Sequence, residues 1–126
     1  MTAIAIPEGR PTMTMAGQAV YRWATTKLTD TLQQAMARAG VTPADIDVFA
    51  PHQANLRIVE ALARRIGVPW EKVADDIQYA GNTSSASIPL ALARMTERGE
   101  LPSGRPALLL GFGAGMCYAA QVITVP

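Results

Sequence analysis

Three short segments of the chain carry the residue types that could do chemistry. They are residues 51–55 (PHQAN), 81–85 (GNTSS) and 111–115 (GFGAG). Each stands where the hydrophobic pattern predicts a strand end or a helix start, the places where open α/β sheets bind their ligands. The sequence therefore concentrates its candidate functional residues in these three segments.

His52 and Asn82 are the candidate catalytic side chains. His52 directly follows a strand-like run at residues 46–50, so we expect its imidazole at the carboxyl edge of the sheet. A lone histidine is more often structural, but a position at a strand end favours a functional role. Asn82 precedes an apolar helix, where it could cap that helix or present its amide as a hydrogen-bond donor to a developing negative charge.

The glycine-rich segment and the single cysteine indicate structure rather than chemistry. Residues 111–115 lead into a strand-like stretch, whereas a dinucleotide-binding glycine motif leads into a helix. Cys117 lies in that stretch, far from any predicted helix N-terminus, so we predict a buried, inert thiol. We also predict core positions for four methionines, Met13, Met15, Met36 and Met95.

The composition narrows the classes of function. The 126 residues are 49% hydrophobic and 17% charged, as in one globular domain. A net charge of +1 without a basic run gives no electrostatic basis for binding nucleic acid or a membrane surface. One His and one Cys cannot form a Cys/His zinc site, so we predict no metal. Neither a signal peptide nor a membrane span is evident, which predicts a cytoplasmic protein.

The pattern predicts the elements that must position these residues. Residues 1–12 form a poorly ordered lead-in, and residues 13–126 form the domain. An amphipathic helix is expected over 17–38 and ends at Gly40, followed by a short turn with Thr42 as its N-cap. After the strand at 46–50, a second surface helix is expected over 53–66, ending at Gly67.

The second half of the chain is predicted to add a short strand, a helix and a hairpin. A weakly patterned stretch holds a short strand at 73–77. A helix then begins at residue 84 and ends at Gly99, and its first turns, residues 84–93, carry no charge. Its apolar character predicts a position between two layers. Strands at 107–112 and 116–125 form an antiparallel hairpin. The predicted fold class is therefore a layered α/β unit.

Taken together, residues 51–57 (PHQANLR), 81–87 (GNTSSAS) and 111–115 resemble, in order and spacing, the C-terminal half of β-ketoacyl-acyl carrier protein synthase III. That family of condensing enzymes has the thiolase fold and begins fatty acid biosynthesis. The resemblance covers about residues 13–126. It implies that a Cys nucleophile takes an acyl group from acyl-coenzyme A, and that His52 and Asn82 serve the decarboxylation of malonyl-acyl carrier protein.

The resemblance also implies roles for residues around this pair. Phe112 matches an aromatic residue that lines the pocket of the nucleophile. Ala114 matches a position whose backbone N–H serves the oxyanion hole, where the family often has Gly. Ala54 and Asn55 match residues beside the pantetheine arm of coenzyme A. Residues 53–57, which include Gln53 and Arg57, match the segment that meets acyl carrier protein. Arg64 is seven residues from Arg57, on the same face of the predicted helix, and Arg65 is adjacent. Three arginines on a helix are often a solvated face, but an acidic carrier protein favours a docking role for them.

The chain departs from the family in one respect. The nucleophilic Cys of the family lies in the N-terminal half of the fold, and Cys117 matches no catalytic position. We therefore expect the chain to need that half, or a companion chain that carries the Cys. We also expect it to form a homo-oligomer and to use no cofactor beyond its substrates. Two alternatives stay open: a non-condensing acyltransferase, and a non-catalytic module that binds acyl carrier protein.

Overall fold

The computed structural model describes residues 14–126, so the predicted lead-in at residues 1–12 lies outside the described residues. The main elements are α1 (Gly17–Ala39), β1 (Val48–Pro51), α2 (Leu56–Ile66), α3 (Ile77–Ala80), α4 (Ser87–Glu97), β2 (Pro106–Gly113) and β3 (Cys117–Thr124). Three single-turn 3₁₀ helices lie between them, at Pro43–Asp45, Trp70–Lys72 and Ser84–Ala86.

The sheet has the order β1-β2-β3, with β2 in the centre. β1 runs parallel to β2, from Val48 opposite Ala107 to Pro51 opposite Leu110. β2 and β3 are antiparallel, which confirms the predicted hairpin. Because parallel strands end at the same edge, the residues that follow β1 lie beside the carboxyl end of β2.

Side chains on the two faces of the sheet pack against different helices, as the alternation of a strand requires. On one face, Phe49, Leu108 and Leu110 are buried with residues of α1 and α2. On the other face, the core is smaller and includes Val48 together with Ala91 of α4. The layered α/β fold class is thus confirmed.

The helices α1 and α2 end where the sequence predicts. α1 buries Leu28, Leu32 and Met36, which recur at four-residue spacing. Gly40 and Gly67 then adopt left-handed backbone conformations, with φ of 68° and 78°, and their amides bond back to helix carbonyls. A side chain at either position would be strained, so these glycines define the ends of the helices.

The predicted strand at 73–77 is wrong. Only Val73 pairs with β1, through an isolated parallel bridge to Phe49. The amide of Val73 closes the preceding 3₁₀ turn on Trp70, and the amides of residues 78–81 bond to carbonyls three or four residues earlier. These local hydrogen bonds leave too little extended chain for a strand.

The exposure of Cys117 corrects the prediction of a buried thiol. Cys117 is the first residue of β3, next to the turn. Its neighbour Tyr118 points to the α1 side and packs edge to face on Trp23 at 5.6 Å, so Cys117 points to the opposite face. The described residues leave that end of the face uncovered.

Two of the four methionine predictions are confirmed. Met36 and Met95 are each 4% exposed, in the cores on the two faces of the sheet. Met15 is 69% exposed because it precedes α1 and meets no core residue, so its prediction is wrong. Met13 lies outside the described residues.

The helix predicted from residue 84 onward is shorter and less enclosed than predicted. Residues 84–86 form a 3₁₀ turn, and α4 itself begins at Ser87. The helix buries Ser87, Ala91 and Met95 against the sheet, whereas Leu90 on another side is 40% exposed. Within residues 14–126, α4 is therefore covered by one layer and not by two.

Among the helices of residues 14–126, none combines the length and the apolar character needed to cross a membrane.

Candidate active site

His52 lies immediately after β1, at the carboxyl edge of the sheet, as predicted. Its backbone N–H donates to the carbonyl oxygen of Leu110 at 2.7 Å, which continues the pairing of β1 with β2. Its half-buried imidazole meets the ring of Phe112 edge to face, with ring centroids 5.2 Å apart. The structure therefore brings two of the predicted site residues into contact.

The imidazole of His52 is also held by Ser87, a residue that the sequence analysis did not single out. Nδ1 of His52 lies 2.6 Å from Oγ of Ser87, which is 1% exposed and begins α4. The same Oγ accepts a hydrogen bond from the backbone N–H of Gln53 at 3.1 Å. The available signal in the sequence was the four-residue spacing of Ser87 with Ala91 and Met95, which places the hydroxyl on the face of α4 that is buried.

Burial shapes the protonation of His52. Partial removal from water lowers the pKa of the imidazole below its ordinary value of 6.5, because burial disfavours the charged form. The imidazole is therefore neutral at neutral pH. With Nδ1 occupied by Ser87, Nε2 is the ring nitrogen left for a substrate.

Asn82 caps a turn with its side-chain oxygen, and its side-chain nitrogen makes no hydrogen bond to any of residues 14–126. Oδ1 accepts the backbone N–H of Ser84 at 2.9 Å, at the start of the turn that leads into α4. The side chain is exposed, and its Nδ2 carries two N–H groups. The capping role and the donor role considered for Asn82 are thus compatible, because they use different atoms.

Gln53 has a structural role inside the protein. Its side chain is 1% exposed, and Nε2 donates to the carbonyls of Pro51 at 2.7 Å and Ala74 at 3.0 Å. Oε1 accepts the backbone N–H of Ile77 at 3.0 Å. With every polar atom of the side chain engaged, this geometry does not favour the predicted contact of Gln53 with a carrier protein.

The remaining site residues surround the same edge of the sheet. Ala54 is half-buried, and exposed Asn55 caps α2 by accepting the backbone N–H of Arg57 at 2.9 Å. Ala114 is exposed in the turn between β2 and β3, two residues beyond Phe112. The structure thus gives Asn55 a capping role of its own.

Three arginines make α2 a basic helix. Arg57, Arg64 and Arg65 are all exposed, and within residues 14–126 none of them forms an ion pair. Arg57 is in the first turn of α2, the turn nearest to His52 in the chain, and Arg64 and Arg65 are in the last turn. These cations are available to an acidic partner.

The family is decided by a match that covers most of the chain. Residues 36–125 match the family model of the 3-oxoacyl-[acyl-carrier-protein] synthase III C terminal. The chain belongs to this family. The resemblance noted in its three segments is thereby confirmed.

Curated relatives of this synthase III chain are much longer than it is. The chain is 52% identical to β-ketoacyl-[acyl-carrier-protein] synthase III 4 of Streptomyces coelicolor, over 98% of the chain and 39% of the relative. It is 51% identical to the mycobacterial β-ketoacyl-[acyl-carrier-protein] synthase III of Mycobacterium avium, over 93% of the chain and 35% of the relative. The chain therefore spans about two-fifths of the length of the relatives it matches.

Two solved structures have the same fold over part of their length. The 3-oxoacyl-(acyl carrier protein) synthase III of Pseudomonas aeruginosa superposes with a TM-score of 0.90 at 36% identity, covering 100% of this chain and 39% of that one. The priming β-ketosynthase of the R1128 polyketide pathway superposes with a TM-score of 0.88 at 47% identity, covering 94% and 36%. The predicted thiolase-like fold is confirmed.

Proposed function

We propose that this chain supplies the decarboxylating part of the active site of a β-ketoacyl-acyl carrier protein synthase III. The complete enzyme would take an acyl group from acyl-coenzyme A onto a Cys and join it to malonyl-acyl carrier protein, beginning fatty acid biosynthesis. Cys117 matches no catalytic position of the family, so the nucleophile would come from outside these 126 residues. By itself the chain would not condense substrates.

One observation carries the proposal. His52 lies at the carboxyl edge of the sheet, and its Nδ1 is hydrogen-bonded to Oγ of Ser87, which follows Asn82 by five residues. The connection that carries Asn82 therefore also supplies the residue that holds the histidine. Two N–H donors on neighbouring segments suit a reaction that develops negative charge on a carbonyl oxygen.

The chemistry follows from these donors. When malonyl thioester loses carbon dioxide, the bond to the carboxylate breaks and its electron pair forms an enolate. Nε2–H of His52 and Nδ2–H of Asn82 would donate to the enolate oxygen, whose charge exists only along the reaction path. The enolate carbon then attacks the acyl thioester, and the Cys thiolate leaves. Removing one such donor typically costs about 3 kcal/mol of transition-state stabilisation.

The surroundings suit this step. The ring of Phe112 covers one side of the imidazole and keeps water from it, which strengthens hydrogen bonds to a developing charge. The backbone N–H of Ala114, in the adjacent turn, would serve the oxyanion of the tetrahedral intermediate. Ala54 and Asn55 would lie along the pantetheine arm, since they lead from His52 into α2.

Acyl carrier protein is the proposed partner of the exposed face of α2. Arg57, Arg64 and Arg65 have no ionic partner within residues 14–126, and an acidic protein would be attracted to them. Arg57 is closest in the chain to His52, where the pantetheine arm would have to enter.

The test is to supply the complete synthase that contains this sequence with labelled acyl-coenzyme A and malonyl-acyl carrier protein. We expect release of carbon dioxide matched by formation of β-ketoacyl-acyl carrier protein. Acyl transfer to another acceptor without loss of carbon dioxide would identify a non-condensing acyltransferase. Binding of acyl carrier protein without either reaction would identify a non-catalytic module.

A further inference from the structure

We infer that Ser87 is a positioning residue, which fixes His52 in the tautomer with a bare Nδ1 and a protonated Nε2. The inference rests on the proposed function, because it explains how His52 comes to present an N–H to the substrate. It begins from the hydroxyl of Ser87, which lies between the imidazole and a backbone amide.

The direction of the two hydrogen bonds follows from counting protons. The backbone N–H of Gln53 can only donate, so Oγ of Ser87 is the acceptor in that bond. Within residues 14–126, Nδ1 of His52 is the only other hydrogen-bond partner of this hydroxyl. The hydroxyl proton of Ser87 must therefore point at Nδ1, which accepts it as a bare nitrogen.

The opposite tautomer is disfavoured by burial. If Nδ1 carried the proton and donated it to Ser87, the hydroxyl proton would be left without an acceptor in a residue that is 1% exposed. An unpaired buried donor costs free energy. Protonating both ring nitrogens would leave the same proton unpaired.

The side chain of Gln53 keeps the amide that sets this direction in place. Two of its three hydrogen bonds join the segment after β1 to the carbonyl of Ala74 and the amide of Ile77, and the third goes to the carbonyl of Pro51. Ser87 is fixed independently, because it lies on the face of α4 that packs on the sheet. The imidazole is thus held from two elements that are far apart in the chain.

This arrangement matters for the chemistry because the two tautomers have opposite effects. With the proton on Nε2, the ring donates to an enolate oxygen. With a bare Nε2, a lone pair would face that oxygen and repel it. A serine on the far side of the ring would therefore decide whether His52 stabilises the transition state.

The tautomer can be read directly by nitrogen-15 NMR of the complete synthase labelled at histidine. The signals of His52 are those that disappear in His52→Gln, and a bare ring nitrogen resonates far downfield of a protonated one. We expect a bare Nδ1 and a protonated Nε2 at neutral pH in the unmodified enzyme. A protonated Nδ1 would overturn the inference, and this measurement needs no Ser87 variant to fold.

The variant Ser87→Ala tests the consequence, with Thr96→Ala as the matched control because Thr96 carries an exposed hydroxyl on the same helix. We expect Ser87→Ala to mix the tautomers and to lower kcat for decarboxylation by about tenfold to a hundredfold, as when partners that orient ligating histidines are removed. Acylation of the Cys should be unchanged. Thr96→Ala should match the unmodified enzyme in both measurements.

The outcomes separate this inference from the proposed function. If Ser87→Ala keeps a single Nε2–H tautomer and full decarboxylation, the positioning role is wrong while the proposed function stands. If the unmodified enzyme shows the expected tautomer but releases no carbon dioxide from malonyl-acyl carrier protein, the proposed function is wrong while the tautomer assignment stands.

Discussion

The ring of Phe112 meets the imidazole of His52 edge to face, with planes inclined at 74°. This contact joins the central strand to the residue that directly follows its parallel neighbour. The aromatic ring excludes water from one side of the imidazole, and burial is what lowers the pKa of His52.

Replacing Phe112 with Ala should therefore raise the pKa of His52 towards 6.5, because water regains access to the imidazole. Titration of His52 followed by NMR measures the shift. Tyr118→Ala is the matched control, since Tyr118 pairs with Phe112 across the hairpin but packs on Trp23. An equal shift in both variants would show that the contact with His52 is not the cause.

The free energy of unfolding should depend on pH through His52. Its pKa is lowered in the folded protein, so the unfolded chain binds more protons below pH 6.5. Stability should be full above that pH, fall as the pH drops towards the folded pKa, and level off below it. Urea unfolding at a series of pH values measures this, and His52→Gln should remove the slope.

Asp45 provides the control for this pH profile. Hydrogen bonds from Thr42 lower its pKa below 3.8, so its contribution to stability is present above that pH and is lost below it. Asp45→Asn should therefore alter the acid end of the profile and leave the slope near pH 6 intact. A loss of that slope in Asp45→Asn would contradict the assignment to His52.

In the complete synthase, His52→Ala and Asn82→Ala should each slow decarboxylation of malonyl-acyl carrier protein by about a hundredfold or more. Acylation of the Cys should persist, because it precedes the step that these donors serve. Single-turnover assays with labelled acyl-coenzyme A and labelled malonyl-acyl carrier protein separate the two reactions.

The variant Asn82→Asp distinguishes the donor role of Asn82 from its capping role. A carboxylate can still accept the backbone N–H of Ser84, but it cannot donate. We expect normal stability with lost decarboxylation. Retained decarboxylation in this variant would leave Asn82 with the capping role alone.

Gln53→Ala should destabilise the protein by about 2 kcal/mol or more, because it leaves buried backbone groups at Pro51, Ala74 and Ile77 without partners. Denaturant unfolding gives the difference in free energy. Gln78→Ala, which removes an exposed amide bonded only to Asp75, should change stability by less than about 0.5 kcal/mol. A stable Gln53→Ala enzyme with weakened affinity for carrier protein would restore the docking role.

Arg57→Glu should raise the KM for malonyl-acyl carrier protein at low salt, with little change for malonyl-coenzyme A, because only the protein substrate presents an acidic surface. The effect should fade as salt shortens the screening length, about 8 Å at physiological ionic strength. Arg64→Glu should act in the same way but more weakly, since Arg64 is further along α2 from His52. An equal loss with both substrates would place Arg57 in folding or in coenzyme A binding.

Local signals in the sequence were enough for the helices, the hairpin and the position of His52. The periodicity of α1 and α2 and their terminal glycines, Gly40 and Gly67, report on neighbouring residues, so no knowledge of the fold is needed to read them. His52 could be placed because a strand run stops immediately before it.

Contacts between distant parts of the chain could not be predicted in this way. Ser87 lies 35 residues from His52, and Gln53 bonds to groups 21 and 24 residues away. Nothing in the residue type of Gln53 indicates that its partners will fold around it. The exposure of Cys117 has a similar cause, because an apolar strand shows which residues alternate but not whether a layer covers each face.

The parallel pairing of β1 with β2 has a consequence for how the protein folds. All of residues 52–105 belong to the one connection between these strands, and that connection carries His52, Asn82 and Ser87. Closing so long a loop gives the fold a high contact order, because the chain must lose conformational entropy before the pairing of β1 with β2 can stabilise the closed loop. The same closure brings Ser87 and Asn82 to the edge of the sheet at which His52 lies. The sheet and the candidate active site therefore form together, and a chain in which this loop is open has neither.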